Sequence, residues 1–350
     1  LKVEAPASCK EISLFNKKMD VFILDLLVIK LMKSKKRDAA ALSERFRKML
    51  PHSFEYITER VLMERLFTIH KYQEIKRALD MKPVIEQRTP EWYELRNGML
   101  TASDWGQALG LGKFGTVTQI YHKKCGYGDE KAFDSDAPPL KWGVRYEPVA
   151  CQIYSLKSNS VVSEYGVIQH PKYSFLGASP DGITNLGVML EIKCVYKRKM
   201  DGKIPDQYMC QIQGQLEICD LEECDYFECE FKEVDSLQAL RSVESPYKGI
   251  ILKDKRGEYR YGDVNDLCTL ATYDEDEYVN VYYYYMQQHL LKRVQRDRGW
   301  FEENLPKLRQ VWDNVLRYRK NFDDYCKEVR RPRPPKFNLR TDSLVDSMKI

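Results

Sequence analysis

The sequence predicts an α/β fold in which strands of a central sheet are flanked by helices, with an added helical domain at the N-terminal end. Three observations point there. Residues 10–82 place apolar side chains three and four apart with almost no glycine, which is the pattern of helices. Between Val161 and Glu233, short stretches rich in β-branched and aromatic residues surround one amphipathic stretch, Pro205 to Cys219, and Gly, Asn and Asp turns punctuate them. The composition, 43% hydrophobic and 31% charged over 350 residues, is that of a soluble globular protein with ample core.

In the first part, Ala39 to Leu50, Ile57 to Ile69 and Tyr72 to Leu79 read as helices, with Pro51 and Pro83 as breaks. The apolar run Val21 to Met32 contains Asp25 and Lys30, is too short to span a bilayer, and reads as a buried helix. No secretory signal and no membrane span are read. Charge is uneven: residues 1–82 hold 18 Lys/Arg and 11 Asp/Glu, a net of +7, while the remainder carries −3. A basic flank beside an acid-rich part suits a nucleic-acid enzyme, although a helical subdomain with a solvated basic face has the same signature. The ten cysteines form no C-x-x-C pair, so reduced thiols in an intracellular protein are expected rather than a disulfide framework.

From Gln87 the texture changes. Thr89-Pro90 is a helix start, with Thr89 as N-cap and Pro90 in the first turn, and Asn97-Gly98 ends that helix. Ser103 and Asp104 open a second helix through Leu109. Free N–H groups at a helix start, with Arg96 nearby, make a candidate phosphate site. Gly110 to Gly115 is not read as a nucleotide loop, because no strand precedes it and no Ser or Thr follows its Gly-Lys pair. Tyr127 to Pro139 reads as a loop. Lys141 to Tyr154 is a helix with Glu147 near its middle; Pro148 inside a helix costs about 3 kcal/mol unless accommodated, which marks Glu147 as a candidate carboxylate.

The stretch Gly177 to Cys194 reads as strand, turn, strand around Asp181, Glu191 and Lys193. Side chains two apart share a face, so Glu191 and Lys193 project together and Ile192 faces away. A hairpin would bring Asp181 beside Glu191. Two carboxylates and an ammonium suit phosphodiester hydrolysis, since Mg²⁺ takes carboxylate, water and phosphate oxygens and activates a bound water. An exposed turn Asp and a solvated Glu/Lys pair are the plainer reading of the same residues. Lys197-Arg198-Lys199 follows, where a phosphate backbone would pass. The helix after it carries Gln211 and Gln215 one turn apart, and Glu223 to Glu233 alternates as a strand. Residues 245–275 look loop-rich. Glu277 to Arg319 reads as helical with Pro306 separating two helices, and the tail after Arg330 as extended or disordered.

The order helix, strand, β-hairpin, helix, strand, with Glu, Asp, Glu-x-Lys and Gln in sequence, resembles the PD-(D/E)xK nuclease superfamily. Its lambda-type exonuclease/YqaJ-like viral recombinase branch is most similar, over about residues 86 to 232. The resemblance implies a restriction-endonuclease-like core with a central mixed β-sheet, and a nuclease domain over 86–330 between an N-terminal helical domain (1–85) and a tail (331–350). It places the helical carboxylate at Glu147, the central metal-binding acid at Asp181, the Glu-x-Lys pair at Glu191 and Lys193, and the helix glutamine at Gln211. It implies a metal held by Glu147, Asp181, Glu191 and the Ile192 carbonyl, Mg²⁺ with Mn²⁺ able to substitute. Arg96 and Ser103 would contact DNA phosphate, joined by Lys197 and Arg198 from the basic run.

The activity so implied is a 5′→3′ exonuclease on linear double-stranded DNA, serving recombination, replication or repair of a viral genome. An endonuclease, an RNA-cleaving enzyme or a non-catalytic nucleic-acid-binding module of the same fold are the alternatives. Implied partners are double-stranded DNA ends and a single-strand annealing recombinase, with a homo-oligomer open, in the host nucleus or cytoplasm.

Overall fold

A computed structural model describes residues 21–34, 39–49, 58–83, 85–112, 115–127, 137–270, 273, 274 and 276–329. The expected tail at 331–350 and most of the expected loop at 127–139 lie outside these residues. Helices Val21–Lys33 (α1), Ala39–Met49 (α2) and Glu59–Asp80 (α3) form the first part. The two helices expected over 57–79 are one, because nothing near His70 breaks the backbone ladder; Thr58 caps it by accepting the Val61 N–H at 3.3 Å. Leu24, Leu27, Val28 and Ile29 of α1 pack on Leu62, Ile69 and Tyr72 of α3. No helix among the described residues is long and apolar enough to cross a membrane.

Next come Pro90–Asn97 (α4), Leu100–Thr101 (β1), Ala102–Ala108 (α5), Val117–Cys125 (α6) and Pro138–Ser158 (α7), which runs unbroken through Pro148. Strands Val162–Ser163 (β2), Ile168–Gln169 (β3), Leu176–Ala178 (β4), Gly182–Thr184 (β5) and Met189–Val195 (β6) follow. Then come Asp206–Cys219 (α8), Glu223–Val234 (β7), Leu237–Ser242 (α9), Lys248–Asp254 (β8), Tyr259–Tyr261 (β9), Tyr278–Gln295 (β10), Arg298–Lys320 (α10) and Phe322–Glu328 (α11).

The main sheet has the order β2-β5-β6-β7-β10-β8-β9. It is mixed: β6 and β7 run parallel, joined by α8, and the other neighbours are antiparallel. A small second sheet orders β1-β4-β3. Alternation along β6 and β7 builds two cores. Leu190, Ile192, Phe227, Cys229 and Phe231 meet Tyr146, Val149 and Ile153 of α7. Met189, Cys224 and Tyr226 belong to the core that also holds Trp105 of α5, Leu216 of α8 and Leu308 and Val315 of α10. The tip of the β5–β6 hairpin sits against α3: Gly187 has φ +78°, and a Cβ there would lie 2.6 Å from the Tyr72 backbone.

Three expectations are corrected. The first half of the segment expected to be helical from Glu277 is strand β10. Its tyrosine and valine run suits a pleated surface, and pairing on both sides, with β7 over Tyr283–Gln295 and with β8 over Tyr278–Tyr285, overrides the three-and-four spacing. Pro306 separates nothing, since α10 passes through it as one helix, forgoing one backbone hydrogen bond in its interior. Residues 245–275, expected to be loop-rich, hold β8 and β9, the outer strands of the main sheet.

Candidate active site

β5 and β6 are short-paired, with Gly182 opposite Leu190, so the next residue back, Asp181, lies beside Glu191. The expected hairpin contact is therefore present. Because β5 begins only at Gly182, the Ile192 N–H has no strand partner there, and the Asp181 carboxylate accepts it at 2.7 Å. Glu191 is fully buried on the opposite side of β6 from Ile192. One of its oxygens accepts from the Lys193 ammonium, and Oε2 is buried without a partner. Glu147 on α7 meets Arg88, whose Nη2 lies 3.3 Å from both carboxylate oxygens.

These groups feel one another strongly. Burial, then the charges of Glu191 and Glu147, push the Asp181 carboxyl well above its usual value. Burial also raises Glu147, with Glu191 and Glu164 adding to it while Arg88 and Lys193 hold it back. Burial alone would lower Lys193, but the charges of Glu191 and Asp181 outweigh it and raise the ammonium. Three acids thus face one ammonium and one half-exposed guanidinium, and one buried Glu191 oxygen is left over. An oxygen-rich site short of positive charge suits a hard divalent cation. Among the described residues no three His, Cys, Asp or Glu side chains already stand around one point. Instead Arg88 rests on Glu147, Lys193 bonds one oxygen of Glu191 and the Ile192 N–H bonds Asp181.

A second cluster adjoins the first. Thr89 caps α4, as its sequence position suggested, while α5, expected to open at Ser103 and Asp104, has Thr101 as its N-cap; between the two caps Arg96 reaches Ser179 Oγ (3.1 Å), Ser103 Oγ (3.0 Å) and Thr101 Oγ1 (3.4 Å). Its guanidinium lies 4.3 Å from the Trp92 ring. Ser179 is two residues from Asp181, so one loop links the hydroxyl–guanidinium cluster to the carboxylates. Beneath them, Lys124 of α6 is buried, donates to the Arg96 carbonyl and pairs with Asp104 at 3.2 Å. Burial lowers Lys124 to about 8 against the pull of Asp104.

The other expected residues are placed less directly. Gln211 is half-buried on α8. Gln215, one turn on, is the one that bonds the central loop, donating to the Ser179 carbonyl at 3.3 Å. Lys197 is exposed, with its ammonium 5.0 Å from the Tyr196 ring. Arg198 is bonded to the buried carboxylate of Glu228, which also accepts from Tyr226 at 2.9 Å. Sequence reading missed Arg88, Lys124, Ser179 and Gln87, whose amide reaches the Tyr165 and Pro180 carbonyls at 2.7 and 3.5 Å. Ser179 lay in the Ser-Pro-Asp-Gly turn and could have been found; a lone Lys on a helix gave no signal.

The hairpin carboxylates, the Glu-x-Lys strand and the parallel β6–α8–β7 unit define the core of a PD-(D/E)xK nuclease fold. Residues 91–222 match the family model for the YqaJ-like viral recombinase domain. That segment is similar to the YqaJ-like domain, in line with the resemblance. The chain is similar to uncharacterized protein R354 of Acanthamoeba polyphaga mimivirus, at 26% identity, covering 71% of this chain and 56% of that protein. It thus spans little more than half the length of that relative. Among solved structures it is similar to the alkaline exonuclease LHK-Exo of Laribacter hongkongensis (18% identity, 69% of this chain, 100% of that chain, TM-score 0.43). It is also similar to SOX of KSHV in an RNA complex (14% identity, 86% of this chain, 96% of that chain, TM-score 0.39).

Proposed function

We propose that this protein is a metal-dependent deoxyribonuclease, acting as a 5′→3′ exonuclease on linear double-stranded DNA in viral recombination, replication or repair. The observation that carries the reading is the grouping of Asp181, Glu191 and Glu147 around Lys193 where β5 begins beside β6, with a phosphate-suited Arg96–Ser103 pair joined to the Asp181 loop through Ser179. Mg²⁺, or Mn²⁺ in its place, held by Asp181, Glu191 and the Ile192 carbonyl with Glu147 alongside, would polarise the scissile phosphate and acidify a bound water.

The chain's own groups do the rest. Lys193, freed from Glu191, orients the attacking water and offsets charge growing on the phosphate. Arg96 and Ser103 hold a neighbouring or terminal phosphate, and Lys197 lies along the path of the backbone. Gln215 fixes the loop that carries Ser179 and Asp181. Linear DNA ends are the proposed substrate, and an annealing recombinase is the proposed partner.

The test is digestion of 5′-phosphorylated linear duplex beside closed circular DNA, in Mg²⁺ or EDTA, with wild type against Lys193→Ala. Loss of the linear form alone, abolished by EDTA and reduced about 10²–10³-fold by the substitution, is expected. Cutting of the circle would indicate an endonuclease. Full activity in Lys193→Ala would remove the assignment.

A further inference from the structure

We infer that Arg88 is a built-in counter-cation for Glu147, one that competes with a divalent ion, so that this residue sets how readily the carboxylate site takes up its metal. The inference rests on the metal-dependent reading above. Four non-glycine residues among those described have positive φ: Arg88, Asn159, Asp220 and Asn265. Asn and Asp tolerate the left-handed region, and Asn159 and Asp220 simply close helices α7 and α8. Arg88, at φ +70°, has neither excuse. A long side chain in that conformation persists only where its surroundings over-determine it.

Both neighbours do so. Gln87 is tied to the Tyr165 and Pro180 carbonyls, the latter next to Asp181, and Thr89 caps α4 through the Trp92 N–H while donating to the Glu86 carbonyl. With residues 87 and 89 pinned, the turn sends Arg88 to the carboxylates. There one nitrogen, Nη2, sits 3.3 Å from each Glu147 oxygen. The other charged groups facing Glu147 are Lys193, Glu191 and Glu164. Lys193 is already bonded to Glu191, which leaves Arg88 as the cation resting on Glu147. With Nη2 set against both oxygens, the guanidinium and an ion ligated by Glu147 repel each other and compete for the same carboxylate charge, so ion uptake works against the Arg88 contact. The guanidinium has room to move away, since its side chain is 45% exposed.

The experiment is calorimetric titration of the full chain with Mn²⁺ in the absence of nucleic acid. Arg88→Gly suits the left-handed backbone, and thermal unfolding checks that it folds. It is expected to bind Mn²⁺ roughly two- to fivefold more tightly than wild type, the scale of a partly exposed ion pair. The gain is expected to vanish in a Glu147→Gln background, because the coupling belongs to that pair. Equal or weaker binding by Arg88→Gly overturns the inference, as does a gain that survives Glu147→Gln. Asp181→Asn separates this from the larger reading: if it leaves Mn²⁺ binding at wild-type strength, the carboxylates are not a metal site and both claims fail.

Discussion

Arg96 offers the guanidinium fork to three hydroxyls at once, from Ser179, Thr101 and Ser103. Its planar donors match phosphate oxygens, whereas an ammonium acts as a point charge. Arg96→Lys, which keeps the charge and loses the fork, is therefore expected to raise KM for 5′-phosphorylated linear DNA about tenfold with a smaller change in kcat. Arg96→Ala should do more and flatten the salt dependence by about one phosphate contact. Steady-state digestion across a salt series measures both, and unchanged KM in both variants would deny Arg96 a phosphate. At this scale the sequence was legible where local periodicity decides. The two-residue repeat put Glu191 and Lys193 on one side of a strand, and the Pro-Asp-Gly turn put Asp181 next to them. Arg88 and Lys124 were not legible, because their meaning comes from tertiary neighbours: Glu147 lies 59 residues away from Arg88, and burial of Lys124 follows from how α6 packs.

Between elements, α5 and α8 approach too closely for side chains at their crossing. A Cβ on Gly214 would sit 2.8 Å from the Trp105 ring and 3.0 Å from the Ala102 Cβ, and one on Gly106 would sit 3.0 Å from the Gln207 Cα and Cβ. This crossing matters to the site, because Gln215 follows Gly214 and the Thr101–Asp104 capping box opens α5. Gly214→Ala adds a methyl that Trp105, fully buried, cannot give way to. It is expected to destabilise the fold by about 1–3 kcal/mol, seen as a lower Tm in a thermal melt; an unchanged Tm would mean that the helices can separate freely. The elements most readily foreseen were those with local caps or strict alternation, such as α4 with its Thr-Pro start and β7. β10 was misread because its four consecutive tyrosines and later leucines satisfy helical spacing as well as strand alternation, and only its two partner strands settle the choice.

Across the whole molecule, the N-terminal helices are fastened to the sheet by a buried network of charge as well as by apolar packing. Arg65 of α3 bonds Asp25 of α1 and both oxygens of Glu223 at the start of β7; Arg293 of β10 bonds Asp25, Glu223 and Asp225. Tyr72 and Tyr154 donate to Glu223 and Asp225. Burial pushes the Glu223 carboxyl up, but the Arg65 hydrogen bond and the charges of Arg293 and Arg65 outweigh it and bring it down to about 2. A carboxylate depressed in the fold gives stability that is present above its ordinary pKa and lost as pH falls from there towards 2, about 3 kcal/mol here. Asp225 moves the other way, raised by burial, and offsets part of that loss.

Replacing Arg65 with Leu leaves three acids, Asp25, Glu223 and Asp225, on the one remaining guanidinium of Arg293, so a loss of about 3–5 kcal/mol is expected at neutral pH. The same change should make stability fall less steeply between pH 5 and 3, since Glu223 no longer has the partner that held it down. Denaturant unfolding of wild type and Arg65→Leu at several pH values measures both effects. Parallel pH curves would show that the network does not set the acid response, and an unchanged stability at pH 7 would show that the helices are held by Leu186, Val188 and their apolar partners alone.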